Sequence, residues 1–274
     1  MRWAARSAAL CLASLLLVGP AGAAVPPPVG LDPRCAADLA DRVAPAVVLG
    51  CDPAGRGLAV VALGDPATAG SVAVLVPGAD IDLARIADAT HPARRPLGWA
   101  TALARAAGDD DLAVVVWVGY VTPEGVSLDA ATGRLARAGA AALVRFVDDL
   151  PTGGRLTVIG HSYGAVVVAL AARSLPADDV VLLGSPGARA GSVAGLRTSA
   201  RVWAARTDGD WIARVPALRI GDLGHGTDPT SPGFGARRLP VGGTEGHDGY
   251  FRPGSAALAG LVDVVLGRAP GADR

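Results

Sequence analysis

The chain alternates short, almost continuously apolar runs with longer stretches whose apolar residues recur every three or four positions. Runs at 58–63, 72–76, 112–118, 155–159, 180–183, 200–205 and 237–241 read as β-strands. Several lack polar alternation, as strands buried on both faces of a mainly parallel sheet do. Between them, 80–87, 98–107, 130–149, 165–174 and 255–267 read as helices, and 34–43 as a shorter one near the N-terminus. The 130–149 stretch sets Leu135, Ala138, Ala142 and Phe146 near one face, with Arg134, Arg137, Arg145 and Asp148 largely elsewhere, so one side is suited to packing on a sheet. Strands alternating with helices predict an α/β architecture, a mainly parallel sheet flanked by helices. With 274 residues, 51% of them hydrophobic, and no internal repeat, one large core is expected.

The N-terminus follows a different pattern. Arg2 and Arg6 precede an apolar run at 8–18, and Ala21-Gly22-Ala23 follows it. This is the layout of a secretory signal peptide over 1–23, which predicts a secreted or cell-envelope protein with no stable membrane span after cleavage. Cys11 lies inside that run, leaving Cys35 and Cys51 as an even pair. In an exported chain with no CxxC and no nearby histidine, such a pair predicts a disulfide rather than a metal site. Val25-Pro26-Pro27-Pro28 reads as a stiff extended leader. The expected division is a leader with a short helix and the disulfide over 24–57, and the main domain over 58–274.

Charge narrows the function classes. Acidic and basic residues balance at 25 each, and the basic ones are all arginine, scattered without a stripe. That argues against a nucleic-acid partner and against an electrostatically held membrane patch.

The candidate chemistry begins at Gly160-His161-Ser162-Tyr163-Gly164, a G-x-S-x-G sequence. In a chain with 37 glycines such a match means little by itself. Its setting means more: a β run ends at Ile159 and a helical run begins at Ala165. A serine on a sharp strand-to-helix turn is an exposed nucleophile, and its tight backbone needs small residues two before and two after it. A serine hydroxyl also needs a base and an orienting carboxylate. Where serine occupies such a turn, the acid and then the histidine follow it in the chain. His247, after the 237–241 run and before the last helix, is the expected base. His225 falls in a Gly/Pro/Thr-rich loop and reads as a pocket wall, His91 lies upstream, and His161 sits inside the turn and would point elsewhere. After the 200–205 run the acid is Asp210, with Asp208 the open alternative. The oxyanion would take one N–H from Tyr163 and one from the Val76-Pro77-Gly78-Ala79 loop, with Ala79 favoured over Gly78. Asp80 is expected to cap a helix beginning there.

At these positions the sequence resembles the α/β-hydrolase superfamily, and more narrowly an actinobacterial family of largely uncharacterised α/β-hydrolases. The resemblance runs from about 58 to 267 and is carried by Val76-Pro77-Gly78, the serine motif, Leu183-Gly184-Ser185-Pro186-Gly187, Asp208-Gly209-Asp210, the His225-Gly226-Thr227-Asp228-Pro229 to Phe234-Gly235 loop, and Gly246-His247. It implies an α/β-hydrolase fold, a Ser-His-Asp triad, an acyl-enzyme intermediate and no cofactor. Only 185–199 separates two expected strands where a cap domain is commonly inserted, so no cap is expected. The site should be open, walled by 218–235 and 120–126, and suited to a small-molecule or lipid-like ester. A non-catalytic secreted binding module on the same fold, or an acyltransferase using the same triad, are the competing functions.

Overall fold

The computed structural model describes residues 23–88, 90–268 and 270; the expected signal segment 1–22 lies outside them. Eight strands form one sheet: β1 (Val47–Asp52), β2 (Leu58–Leu63), β3 (Ser71–Val76), β4 (Leu112–Val118), β5 (Arg155–His161), β6 (Asp179–Leu183), β7 (Arg201–Ala205) and β8 (Arg237–Arg238), in the spatial order β1-β2-β4-β3-β5-β6-β7-β8. From β4 to β8 every pairing is parallel, whereas β1–β2 and β2–β4 are antiparallel. This is the mainly parallel sheet flanked by helices that the alternating pattern predicts, and it agrees with the α/β-hydrolase fold that the resemblance implies.

The helices are α1 (Pro33–Val43), α2 (Pro96–Ala107), α3 (Leu128–Ala131), α4 (Arg134–Asp149), α5 (Tyr163–Ala171), α6 (Val193–Leu196) and α7 (Ala256–Val265). Each buried strand feeds two cores because its side chains alternate between faces. Val74, Val115 and Val158 point toward α4 and α5, whose Leu143 and Val167 are fully buried. Val114, Val116 and Ile159 point the other way, toward Leu39 of α1, Leu103 of α2 and Leu261 of α7. Central strands covered on both sides can therefore be apolar throughout, as β4 is.

Four expectations need correction. Residues 80–87 are not a helix but a chain of turns: Asp80 has φ +64°, outside the helical region, and its N–H donates to Pro123 O at 2.9 Å. The 130–149 stretch is two helices, parted at Thr132-Gly133, because the Tyr163 hydroxyl enters the gap, donating to Thr132 O (2.7 Å) and accepting from Ala136 N–H (3.0 Å). β8 is only two residues long, with Leu239 N–H still bonding Ala204 O at 3.1 Å and Pro240 unable to extend the ladder. Finally, residue 58 is no boundary, since β1 from the N-terminal segment pairs with β2. β1 escaped notice because it is an edge strand interrupted by Gly50, into whose open side Val29 packs.

The N-terminal segment is fastened at Leu31, which bridges to Cys51, and at Asp32, which caps α1 through Cys35 N–H at 2.8 Å. The disulfide joins Cys35 on α1 to Cys51 on β1 across 16 residues. Closing a loop of that length stabilises a fold by about 3 kcal/mol in the chain-entropy model. Replacing both cysteines by alanine should therefore cost about 3 kcal/mol and lower the urea midpoint, with a steeper slope as the uncross-linked unfolded chain expands; an unchanged midpoint would show that the cross-link is energetically idle.

Candidate active site

The C-terminal ends of the parallel strands converge on one crevice, where ligands of open α/β sheets bind. β3 delivers the loop Pro77-Gly78-Ala79, β5 delivers Ser162, β6 delivers Gly184 and β7 delivers Asp210; the chain beyond β8 delivers His247.

Ser162 has φ +56° and ψ −126°, a conformation that costs a non-glycine residue of order 1–3 kcal/mol. Surrounding bonds impose it: Ser162 N–H donates to Leu183 O at 2.9 Å, and Ala165 N–H returns to Ser162 O at 3.0 Å. The flanking glycines are demanded by space. A Cβ on Gly160 would lie 2.5 Å from Ala165 Cα, and one on Gly164 would lie 2.1 Å from Val76 O. Gly78 is pressed against the same turn, where a Cβ would sit 2.7 Å from Ser162 Cβ and 2.9 Å from Tyr163 N. The β3 loop thus lies beside the N-terminus of α5, where backbone N–H groups favour negative charge. Ser162, Tyr163 and Ala79 line one cavity together.

Asp210 and His247 meet. The imidazole Nδ1 is 2.8 Å from Asp210 Oδ1, which also accepts Ile212 N–H at 2.9 Å, and the Tyr250 hydroxyl donates to Oδ2 at 2.7 Å. Burial raises the Asp210 carboxyl, but the bonds from His247, Ile212 and Tyr250 outweigh it and hold it below the ordinary carboxylate range. Asp208, two residues earlier, is exposed and pairs through its backbone with Glu245 instead. His247 Nε2 is buried without a hydrogen-bond partner among the described residues, leaving that nitrogen available to a reacting hydroxyl. The ring is held between Trp211 and His161, with centroids 4.9 and 4.7 Å away.

The family model described as Alpha/beta hydrolase matches residues 52–220. This chain belongs to the α/β-hydrolase family. Uncharacterized protein Rv2079 of Mycobacterium tuberculosis (strain ATCC 25618 / H37Rv) is 34% identical to it over 248 residues, covering 78% of this chain and 37% of that protein. The chain thus spans well under half the length of that relative. Uncharacterized protein Mb0988c of Mycobacterium bovis (strain ATCC BAA-935 / AF2122/97) is 39% identical over 84 residues, 28% of this chain and 31% of that protein. Among solved structures, XC6422 from Xanthomonas campestris, described as an a/b serine hydrolase without lid, aligns with a TM-score of 0.45 and 20% identity over 81% of this chain and 92% of that one. The esterase domain of a Rhodothermus marinus protein aligns with a TM-score of 0.46 and 14% identity over 81% and 95%.

Two residues of this α/β-hydrolase have positions that sequence reasoning missed. Tyr250, three residues after His247, carries no signal in the sequence, yet its hydroxyl donates to the Asp210 carboxylate. The His161 ring packs against that of His247, and its Nε2 lies 2.7 Å from the His247 carbonyl oxygen and so holds the loop of that histidine. Burial, with His247 beside it, lowers the His161 pKa to about 3, so the ring is neutral at neutral pH and Nε2–H is the donor. No pattern in the sequence could have shown this, since the two partners lie 86 positions apart.

The expected walls are found in part. Gly125 and Val126 line one side of the cavity, and Leu218, Ile220 and Leu223 the other, joined by Trp211 and Val215. His225 lines the cavity too, its Nε2 at 2.8 Å from Ala130 O and its ring edge-on to Tyr163. His91 is exposed, away from these groups. The 225–234 loop takes a structural role: His225 O and Thr227 O accept Arg189 and Ala188 N–H at 2.7 and 3.0 Å, and Phe234 is buried. Asp80 caps no helix. Its carboxylate accepts Gly125 N–H at 2.9 Å and ties the β3 loop to the opposite wall. Nothing inserted after β6 covers the cavity: 185–199 holds only α6.

The depressed His161 pKa fixes a pH dependence. Its folded value lies below the ordinary 6.5, so its contribution is intact above pH 6.5 and is lost as pH falls toward about 3, because only the unfolded chain takes up the proton. The expected slope from this one group is about 1.4 kcal/mol per pH unit. His161→Gln keeps a donor and should remove one proton's share of that slope between pH 6 and 4, measured by urea unfolding; an unaltered slope would refute the assignment.

Proposed function

We propose that the protein is a serine hydrolase that cleaves an ester bond, carboxylesterase-like, with Ser162 as nucleophile, His247 as general base and Asp210 as the orienting carboxylate. The observation that carries this reading is the Asp210–His247 hydrogen bond on neighbouring strand ends beside a serine held on a strained strand-to-helix turn.

His247 Nε2 takes the hydroxyl proton as Ser162 Oγ bonds the ester carbonyl carbon, and the carbonyl π pair moves to oxygen. The backbone N–H groups of Tyr163 and Ala79 receive that oxyanion. Asp210 keeps its proton-free carboxylate against Nδ1–H and stabilises the imidazolium that forms. As the carbonyl re-forms, the C–O bond to the alcohol breaks and the alcohol leaves with the proton from Nε2. Water then repeats the sequence on the acyl-enzyme, releasing the acid and restoring Ser162.

Entry to the secretory route, from the 1–23 pattern, belongs to the same proposal and agrees with the Cys35–Cys51 cross-link.

A fluorophosphonate probe should label the wild type and not Ser162→Ala, and Ser162→Ala should abolish p-nitrophenyl acetate hydrolysis. Asp210→Asn should lower kcat by about 10³-fold or more, whereas Asp208→Asn should stay within a few-fold of wild type. A protein that takes no label is a binding module. Preferential transfer of the acyl group to an added alcohol makes it an acyltransferase, and equal losses in the two aspartate variants would overturn Asp210.

A further inference from the structure

The cavity above Ser162 measures about 500 Å³, within the range of small-molecule sites. Apart from the reacting end, side chains such as Trp211, Ile212, Val215 and Leu223 make its walls. The apolar surface does not stop at the mouth. Val126 is 96% exposed and Ile220 77% exposed, on opposite walls, with Leu218, Leu223 and Trp211 also open to solvent beside them and Leu128 just outside. Contiguous exposed apolar surface continuous with a reactive cavity calls for an occupant.

These side chains are held outward. Ile220 and Leu223 face each other across a tight turn, exchanging N–H···O bonds of 2.9 and 3.0 Å. Asp222 in that turn takes both terminal nitrogens of Arg137, at 2.6 and 2.9 Å, and Arg189 Nη2 at 2.6 Å. Arg189 also donates to Gly224 O at 2.8 Å, and Leu223 bridges to Thr132. On the other wall, Asp80 fixes Gly125 beside Val126. The wall segments are thus fastened to the body of the protein, and the described residues leave Val126, Leu218, Ile220, Leu223 and Trp211 open to solvent.

We infer that the cavity and its exposed rim form one subsite for a long hydrocarbon chain carried by the ester. This rests on the hydrolase reading above. The cavity takes the part of the chain next to the carbonyl or its alkoxy oxygen, and the rim takes the rest. The chemistry is the same whether the ester arrives as a dissolved monomer or from a lipid aggregate.

The test measures kcat/KM for p-nitrophenyl acetate, butanoate, octanoate, dodecanoate and hexadecanoate, and in parallel for acetates of alcohols of rising chain length, each below and above its aggregation concentration. Each methylene that enters an apolar site gains up to about fourfold, so a rise of about tenfold or more is expected from the four-carbon to the eight-carbon chain in at least one series. A rise seen below aggregation assigns the monomer as source, and one seen only above it assigns the lipid surface; either supports the subsite. Leu223→Asp and, independently, Val126→Asp should flatten that rise; Val126 is exposed enough for its replacement to leave folding intact, which thermal unfolding checks. Short esters cleaved with no gain from chain length in either series would overturn the subsite and leave the hydrolase standing. Absence of both cleavage and fluorophosphonate labelling would overturn both. A rim substitution that changes the sedimentation mass and not the chain-length profile would also overturn the subsite, by making the rim a contact between copies.

Discussion

The backbone of Ser162 is the constraint to which the surrounding structure answers. A non-glycine residue at φ +56° does not hold that conformation unless its neighbours leave no other. Here β5 is paired on both sides, by β3 and β6, and α5 leaves it at once. The close approach of Gly78, Gly160 and Gly164 follows from the same turn, since each lies where a side chain would strike backbone or Ser162 itself. Strain at one residue is thereby exchanged for a serine that lines the cavity at a helix N-terminus.

The second organising feature is a buried carboxylate with its partners in place. Asp210 receives His247, Ile212 N–H and the Tyr250 hydroxyl, so a negative charge that burial opposes is nevertheless held. His161 extends the arrangement from the serine turn itself, binding the backbone of His247 while its own ring stays neutral. The serine turn and His247 are therefore joined by a hydrogen bond as well as by the contact of the two imidazole rings. At the opposite end of the sheet, Asp179 plays a purely structural part, its buried carboxylate accepting from Arg155, Arg201 and the Trp203 indole.

The walls of the cavity show a third use of charge. The two arginines on Asp222 and the contact of Asp80 with Gly125 fix loops that carry apolar side chains into solvent. Ionic contacts here set the positions of hydrophobic groups. With only α6 between β6 and β7, access to Ser162 is shaped by these fastened loops rather than by an inserted domain.

The sequence alone showed the layered α/β design, because strands buried on both faces must be apolar throughout and helices on a sheet must be amphipathic. It also showed the serine turn, whose steric demand for small neighbours is local and so is written in adjacent residues. It misjudged 80–87, where composition permits a helix but contacts with Pro123 and Gly125 enforce turns. It passed over β1, whose strand character depends on pairing with β2. The choice between Asp208 and Asp210 could not be read locally, since both follow β7 in the same short segment. Only the folded chain brings His247 and Tyr250, 37 and 40 positions away, onto one carboxylate and leaves the other in solvent. Periodicity and sterics act between neighbours and are legible in order along the chain; a hydrogen bond between distant residues exists only once the sheet has set its strands side by side.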